Sequence, residues 1–358
     1  MQVVARHWQT GTPVAVRVEA GVVAECRPAA DRPDLPWLAP SFFDLQVNGG
    51  LGVNFTDLGL TADGVAMVAD ACRRAGCGGF LPTAITAHPD VISRSARTLA
   101  AAGFDIHLEG PFLNPTDGYR GAHPVEHVRP PDADLFRRWQ DAAGGRIRLV
   151  TVAPELPGAI PFIERLTAAG VAVALGHTAA DAATVSAAVA AGAKLSTHLG
   201  NGLPAMAHRH LNPVWPQLAE PRLWASVIAD GHHLPAEVLR CVARLKPDGL
   251  ILVSDASPLA GLPPGRYPLW GTDCEVTADG RVGVAGTPYL AGAGAFLGTC
   301  VGRAVRLGLT VAEAVAAASV RPRELLGLPV PTLEVGRPAD FVLFDLTDEG
   351  LTVRQLPG

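Results

Sequence analysis

Between residues 42 and 256 the chain alternates short apolar, strand-like runs with segments of helical character. The runs stop near Asn48, Thr83, Glu109, Glu155, His177, His198, Asp230 and Asp255, which makes eight. Between them lie TADGVAMVADACRRAG, VISRSARTLAAA, DADLFRRWQDAA, PFIERLTAAG, DAATVSAAVAAG and PAEVLRCVARL. Several of these end in Gly, the residue that best tolerates the left-handed turn after a helix. Alternating β and α units imply a parallel sheet, and eight of them can close on themselves, so the pattern predicts a (β/α)₈ barrel. The two ends of the chain read differently. PVAVRVEAGVVAECR alternates and turns at Gly21 as a hairpin does, and PADFVLFDL and LTVRQL are again strand-like. Neither end forms a stable sheet alone. Residues 1–40 and 325–358 are therefore expected to pair as one small β-sandwich domain beside a barrel spanning 41–324. After the eighth run, RYPLW, CEVTADGRVGV and the Asp279-Gly280 turn predict a β-hairpin insertion around 262–288.

A length of 358 residues allows such a barrel plus a smaller domain. The net charge of −5 leaves no basic stripe to neutralise phosphates, which argues against a nucleic-acid binder. The start, MQVVARHWQTG, lacks the basic-then-apolar layout of a signal peptide. Apolar runs such as VAVAL break well short of a membrane span, so no membrane partner is expected. The six cysteines form no C-x-x-C pair and no framework spacing, which fits reduced cytoplasmic thiols.

Candidate chemistry sits at the ends of the runs. GFDIHLEG ends at Glu109, VAVALGH at His177, KLSTHLG at His198 and GLILVSDA at Asp255. In a (β/α)₈ barrel the chemistry collects at the carboxyl ends of the strands. A carboxylate and two imidazoles suffice to hold a divalent metal with a position open for water, so Glu109, His177 and His198 are the candidate ligands. One metal ion per chain is expected, with zinc the first choice and iron, cobalt or manganese as alternatives. Asp255 is the candidate proton carrier, able to take a proton from water and deliver one to a leaving nitrogen. His123, in RGAHP, is a candidate donor to a carbonyl oxygen as negative charge develops there. Asn201, Arg209, His232 and His233 lie on loops over the same face, and Arg suits a bidentate grip on phosphate or carboxylate. His7, His88, His107 and His127 read as structural or surface residues. The end of the first strand reads Gln46-Val47-Asn48 and offers no imidazole. Neutral amides are poor ligands for first-row divalent metals, so Gln46 and Asn48 are left to bind substrate or support the site.

Taken in order, LAPSFFDLQVNGGLGVNF, HLEGPF, RGAHP, LGHTAADA, STHLGNG, IADGHHLP, LVSDA, YLAGA and VGRPADFVLFD resemble the N-acetylglucosamine-6-phosphate deacetylase family of the amidohydrolase superfamily. The resemblance runs from about residue 36 to 345. It implies that Glu109, His177 and His198 ligate the metal and that Asp255 transfers protons. It implies substrate contacts from Ala122 and His123, from Asn201 and Gly202, and from Leu290, Ala291 and Gly292. Arg209 and His233 fall where the family grips a sugar phosphate. The resemblance further implies an amino-sugar substrate, a homodimer and a small β domain built from both chain ends.

The departures from the family lie on the substrate side. The family has an aromatic residue and a Met around its N-A pair, whereas this chain reads Thr197-His198-Leu199-Gly200-Asn201-Gly202-Leu203. The loop PAMAHRHLNPVWPQLAEP is also unlike the family's context for the phosphate-binding Arg. These changes bear on the sugar and its phosphate and leave the ligand set and Asp255 untouched. The alternatives are a deacetylase of an unphosphorylated or different N-acyl compound, a cyclic-amide or dipeptide hydrolase, and a sugar-binding barrel without turnover. The fourth run ends in Ala153-Pro154-Glu155, with no Lys to bridge two metals as a cyclic-amide hydrolase would require.

Overall fold

The computed structural model describes residues 2–348 and 350–354. Eight parallel strands form one sheet in chain order: β1 (Phe42–Val47), β2 (Cys77–Ile85), β3 (Ile106–Glu109), β4 (Ile147–Val152), β5 (Ala172–Leu175), β6 (Leu195–Ser196), β7 (Trp224–Ile228) and β8 (Leu250–Val253). The last strand returns to the first. Asp255 N donates to Gln46 O at 3.0 Å, and Asn48 N donates to Ala256 O at 2.8 Å. The eight-unit barrel predicted from the apolar runs is therefore present, with each strand ending within three residues of the predicted stop.

Side chains alternate across the barrel wall with the period of two that strands impose. Leu45, Leu81, Leu149, Ala174, Leu195, Ile228 and Ile251 pack together inside. Ile106, Leu108, Val150, Val152, Val173 and Leu175 face the other way, into the layer shared with the helices. That layer receives α1 (Ala62–Arg74), α2 (Pro89–Ala101), α3 (Ala133–Ala142), α4 (Ala159–Ala168), α5 (Ala182–Ala190), α6 (Val214–Ala219), α7 (Ala236–Leu245) and α8 (Leu297–Arg306). The starts of α1, α3 and α5 are fixed by Thr61, Asp132 and Asp181, whose side chains accept from backbone N–H groups of the first turn. α6 lies inside the loop PAMAHRHLNPVWPQLAEP, where the sequence pattern announced no helix.

The two chain ends join in one six-stranded sheet. Its order is Val22–Pro28, Pro13–Glu19, Gln2–His7, Trp37–Pro40, Phe341–Thr347 and Gly350–Arg354. Ala5, Val16, Val18, Val23, Leu38, Phe341 and Leu343 form its own small core. Arg323, buried in the last helical segment, ties this sheet to the barrel. Its guanidinium donates to Ser41 O at 2.6 Å, just before β1, and to Asp340 Oδ2 at 3.2 Å, just before the strand Phe341–Thr347. The insertion after β8 contains the expected hairpin and one strand more: Gly265–Leu269, Thr272–Val276 and Val282–Val284 run antiparallel. Among the described residues no helix is long and apolar enough to cross a membrane.

Candidate active site

Glu109, His177 and His198 meet at the carboxyl ends of β3, β5 and β6. Their ligating atoms all lie within 4.8 Å of one another, and all three residues are buried. His198 Nε2 is 2.9 Å from Glu109 Oε1 and His177 Nε2 is 3.3 Å from it. The two Nε2 atoms are 3.2 Å apart. Burial alone would push the Glu109 carboxyl up, but the two imidazoles hold it well below the usual carboxylate range. The donor atoms of one carboxylate and two imidazoles thus converge on one small volume away from water. This is the donor set and the burial that a divalent cation requires, and the residues fit such a group.

His177, His198 and Asp255 have φ angles of 50°, 30° and 51°. Non-glycine residues in this left-handed region are uncommon and carry roughly 1–3 kcal/mol of strain each, so their neighbours must hold them there. His177 O accepts from Asn114 N at 3.0 Å. His198 N donates to Ser226 Oγ at 2.8 Å, and its carbonyl accepts from Asn201 N and Asn201 Nδ2. Asp255 is held by Gln46 O and by Ala293 N, which donates to Asp255 O at 2.9 Å. The sharp turn at each strand end redirects the side chain across the barrel mouth.

Gln46 and Asn48 have their amides turned toward carboxylates. Gln46 Nε2 donates to Glu109 Oε1 at 3.0 Å and to Asp255 Oδ1 at 2.9 Å, and Asn48 Nδ2 donates to Asp255 Oδ1 at 2.7 Å. Burial and the nearby Glu109 charge raise the Asp255 carboxyl to about 6. His123 packs edge-on against His177 with ring centroids 4.4 Å apart, and its Nδ1 is 2.8 Å from Thr86 Oγ1. Burial and the adjacent His177 push the His123 imidazole down to about 3, which keeps it neutral.

A cleft lined by His177, Asn201, Gly202, Leu203, Val214 and Gln217 opens beside these groups. Gly202, at φ 61°, explains the departure from Ala there: a Cβ would lie 2.8 Å from His177 Nδ1, which itself lies 2.9 Å from Tyr119 O. Leu290, Ala291 and Gly292 run behind Asp255, and a Cβ on Gly292 would meet Asp255 O at 3.2 Å. Ala122 is exposed beside His123. His233 is half-buried, its side chain largely covered, with Nδ1 2.8 Å from Asp230 Oδ2. Arg209 stands apart on an exposed loop, where its carbonyl accepts from Trp215 Nε1.

Residues 37–356 match the amidohydrolase family. The N-acetylglucosamine-6-phosphate deacetylase of Bos taurus is 40% identical over 332 residues, covering 86% of this chain and 79% of that protein. The chain belongs to the N-acetylglucosamine-6-phosphate deacetylase family of amidohydrolases. As a member of that family it is a hydrolase acting on an amide. The N-acetylgalactosamine-6-phosphate deacetylase of Escherichia coli O157:H7 is 33% identical over 357 residues, covering 95% of this deacetylase-family chain and 92% of that protein. A Mycobacterium smegmatis N-acetyl-D-glucosamine-6-phosphate deacetylase variant, solved in complex with N-acetyl-D-glucosamine-6-phosphate, superimposes with a TM-score of 0.87. It is 31% identical and covers 99% of this chain and 98% of its own.

Two features of the site were not singled out in the sequence. His107, buried between β1 and β4, has Nδ1 3.1 Å from Leu45 O and Nε2 2.8 Å from Thr151 Oγ1, and Thr151 continues to Thr197, which precedes the candidate ligand His198. Two positions before Glu109 on the same strand, it shares the inward face, a signal that strand period alone carries. Thr86, the partner of His123, follows β2 and had no signal of its own.

Proposed function

We propose that this chain removes the acetyl group from N-acetylglucosamine 6-phosphate, giving glucosamine 6-phosphate and acetate. The observation that carries the proposal is the joining of Asp255 to the Glu109, His177 and His198 group through the amide of Gln46. In this reading Glu109, His177 and His198 hold one divalent metal ion. Zinc suits one carboxylate and two imidazoles, and iron, cobalt or manganese fit the same donors. The bound ion supplies a Lewis acid that polarises the acetyl carbonyl and lowers the pKa of water.

The rest of the chemistry falls to side chains. Gln46 and Asn48 both donate to Asp255 Oδ1, which fixes the carboxylate and leaves Oδ2 to take a proton from the attacking water. The same oxygen then delivers that proton to the amide nitrogen as the C–N bond breaks. His123 Nδ1 lies 2.8 Å from Thr86 Oγ1, and in this reading Thr86 is the donor, so that the neutral ring carries its proton on Nε2 and offers it to the carbonyl oxygen as charge develops. Ala122, Asn201, Gly202, Leu290, Ala291 and Gly292 form the contacts to the sugar and its acetyl group. His233, oriented by Asp230, and Arg209 bind the 6-phosphate. The reading also includes a homodimer in the cytoplasm, and six unpaired thiols support a reducing compartment.

A screen of acetate release tests the proposal, using N-acetylglucosamine and N-acetylgalactosamine, each with and without the 6-phosphate. The highest kcat/KM is expected for N-acetylglucosamine 6-phosphate. A preference for an unphosphorylated or galacto substrate would move the reading to that compound, and no release from any would leave a binding protein.

A further inference from the structure

The loop after β4 places a carboxylate where the metal-ligand set does not use one. Glu155 accepts three hydrogen bonds, all from the loops that follow β3 and β5. Its Oε1 takes Asn114 Nδ2 at 2.8 Å and Ala179 N at 2.6 Å, and its Oε2 takes Thr178 Oγ1 at 2.5 Å. None of these donors belongs to α4, which starts at Ala159 with Gly158 as an N-cap that offers no side chain. The carboxylate is therefore not a helix cap.

Its partners lead directly to two candidate ligands. Thr178 follows His177, and Thr178 Oγ1 also accepts from Ala180 N at 2.9 Å. Asn114, five residues past Glu109, donates its backbone N–H to His177 O at 3.0 Å while its side chain donates to Glu155. His177 sits at φ 50° and needs its carbonyl and its following turn held from outside. Glu155 touches both holders of that turn. A further bond, Ala153 N to Phe112 O at 2.9 Å, keeps the β4 loop in register with the loop after Glu109.

We infer that Glu155 is a positioning residue for the metal site, clamping the turn that carries His177 to the loop that follows Glu109. The inference rests on the reading of Glu109, His177 and His198 as ligands. It also assigns the acid at the top of β4 to holding loops together rather than to a second cation.

The test is the dissociation constant for Zn²⁺ in competition with a chromophoric chelator. It is measured on the full chain for wild type, His177→Ala, Glu155→Ala, Glu155→Gln and Thr178→Val. Residues behind metal ligands typically contribute about 10–100-fold in affinity, so Glu155→Ala is expected to bind Zn²⁺ that much more weakly. Glu155→Gln should recover most of the loss, because its carbonyl oxygen still accepts from Asn114 and Ala179 and its amide can donate to Thr178. Should Glu155→Ala fail to fold, a weakened Zn²⁺ affinity in Thr178→Val carries the same conclusion. Wild-type affinity within about twofold in Glu155→Ala, or in Thr178→Val if the former does not fold, overturns the clamp provided His177→Ala has lost binding. Wild-type affinity in His177→Ala overturns the ligand reading itself, and the clamp with it.

Discussion

The Nε2 atoms of His177 and His198 face each other at 3.2 Å, although the two residues end different strands and lie twenty-one positions apart. Two imidazole lone pairs at this separation repel unless a proton or a cation lies between them, and Glu109 Oε1 lies within 3.3 Å of both. The left-handed turns at both histidines point the rings at each other. A proton on one of the two nitrogens, or a bound cation, therefore satisfies the arrangement.

From that geometry, one metal ion per chain is expected in active protein. Gln46 and Asn48 spend their amide hydrogens on Glu109 and Asp255, which leaves no imidazole pair at the end of β1 for a second ion. Elemental analysis of wild type should return one equivalent, and His177→Ala should lower both metal content and rate. Two equivalents, both needed for full rate, would contradict the site described here.

The contribution of Asp44 to stability should fall as pH rises from about 4 to 7. This carboxyl is buried in β1 and accepts from Ser254 N and Gln46 N. Burial, only partly offset by those bonds, raises it from 3.8 to about 7. A group raised in the folded state contributes stability that is complete below its unfolded value and is lost as pH climbs through the folded one. The thermal midpoint of wild type relative to Asp44→Asn should thus fall between about pH 4 and 7, while the buried imidazoles of His107 and His123, held low, move both proteins the other way. Parallel curves for the two proteins would remove Asp44 as the cause.

The barrel and the meeting of Glu109, His177 and His198 were legible in the sequence because these apolar runs stop at polar residues that barrel closure brings together. Glu109, His177, His198 and Asp255 all lie where strand ends put them, and the clustering follows from barrel closure. Gln46 and Asn48 were not decided, since sequence does not say which way an amide points. His107 read as bland because an imidazole within a strand looks the same whether it faces the lumen or the helices. α6 was hidden by a loop rich in Pro and His, whose short helix is held by packing of Val214 and Leu218 rather than by a long periodic face. The six-stranded terminal sheet was foreseen as a pairing of both ends, but its strand order depends on long-range contacts that local pattern does not encode.

Arg209 supplies the prediction about phosphate. It lies eleven positions past His198, the offset at which the family's phosphate-gripping Arg falls, and it stands exposed. Charge-assisted hydrogen bonds contribute roughly 1.5–3 kcal/mol each, equivalent to about one to two decades in kcat/KM. Arg209→Ala should lower kcat/KM by that factor for the 6-phosphate sugar and scarcely change it for the unphosphorylated one. Equal losses on both substrates would make Arg209 a loop anchor.

The most direct measurement is kcat for Asp255→Asn, with metal content determined on the same sample. Asn preserves the size of the side chain but cannot carry the proton, and general acid–base groups typically contribute about 10²–10⁴-fold. The site described here predicts an unchanged metal equivalent together with a loss in kcat of at least about 10²-fold. A variant that keeps its metal and retains a third of the wild-type rate would contradict the role of Asp255.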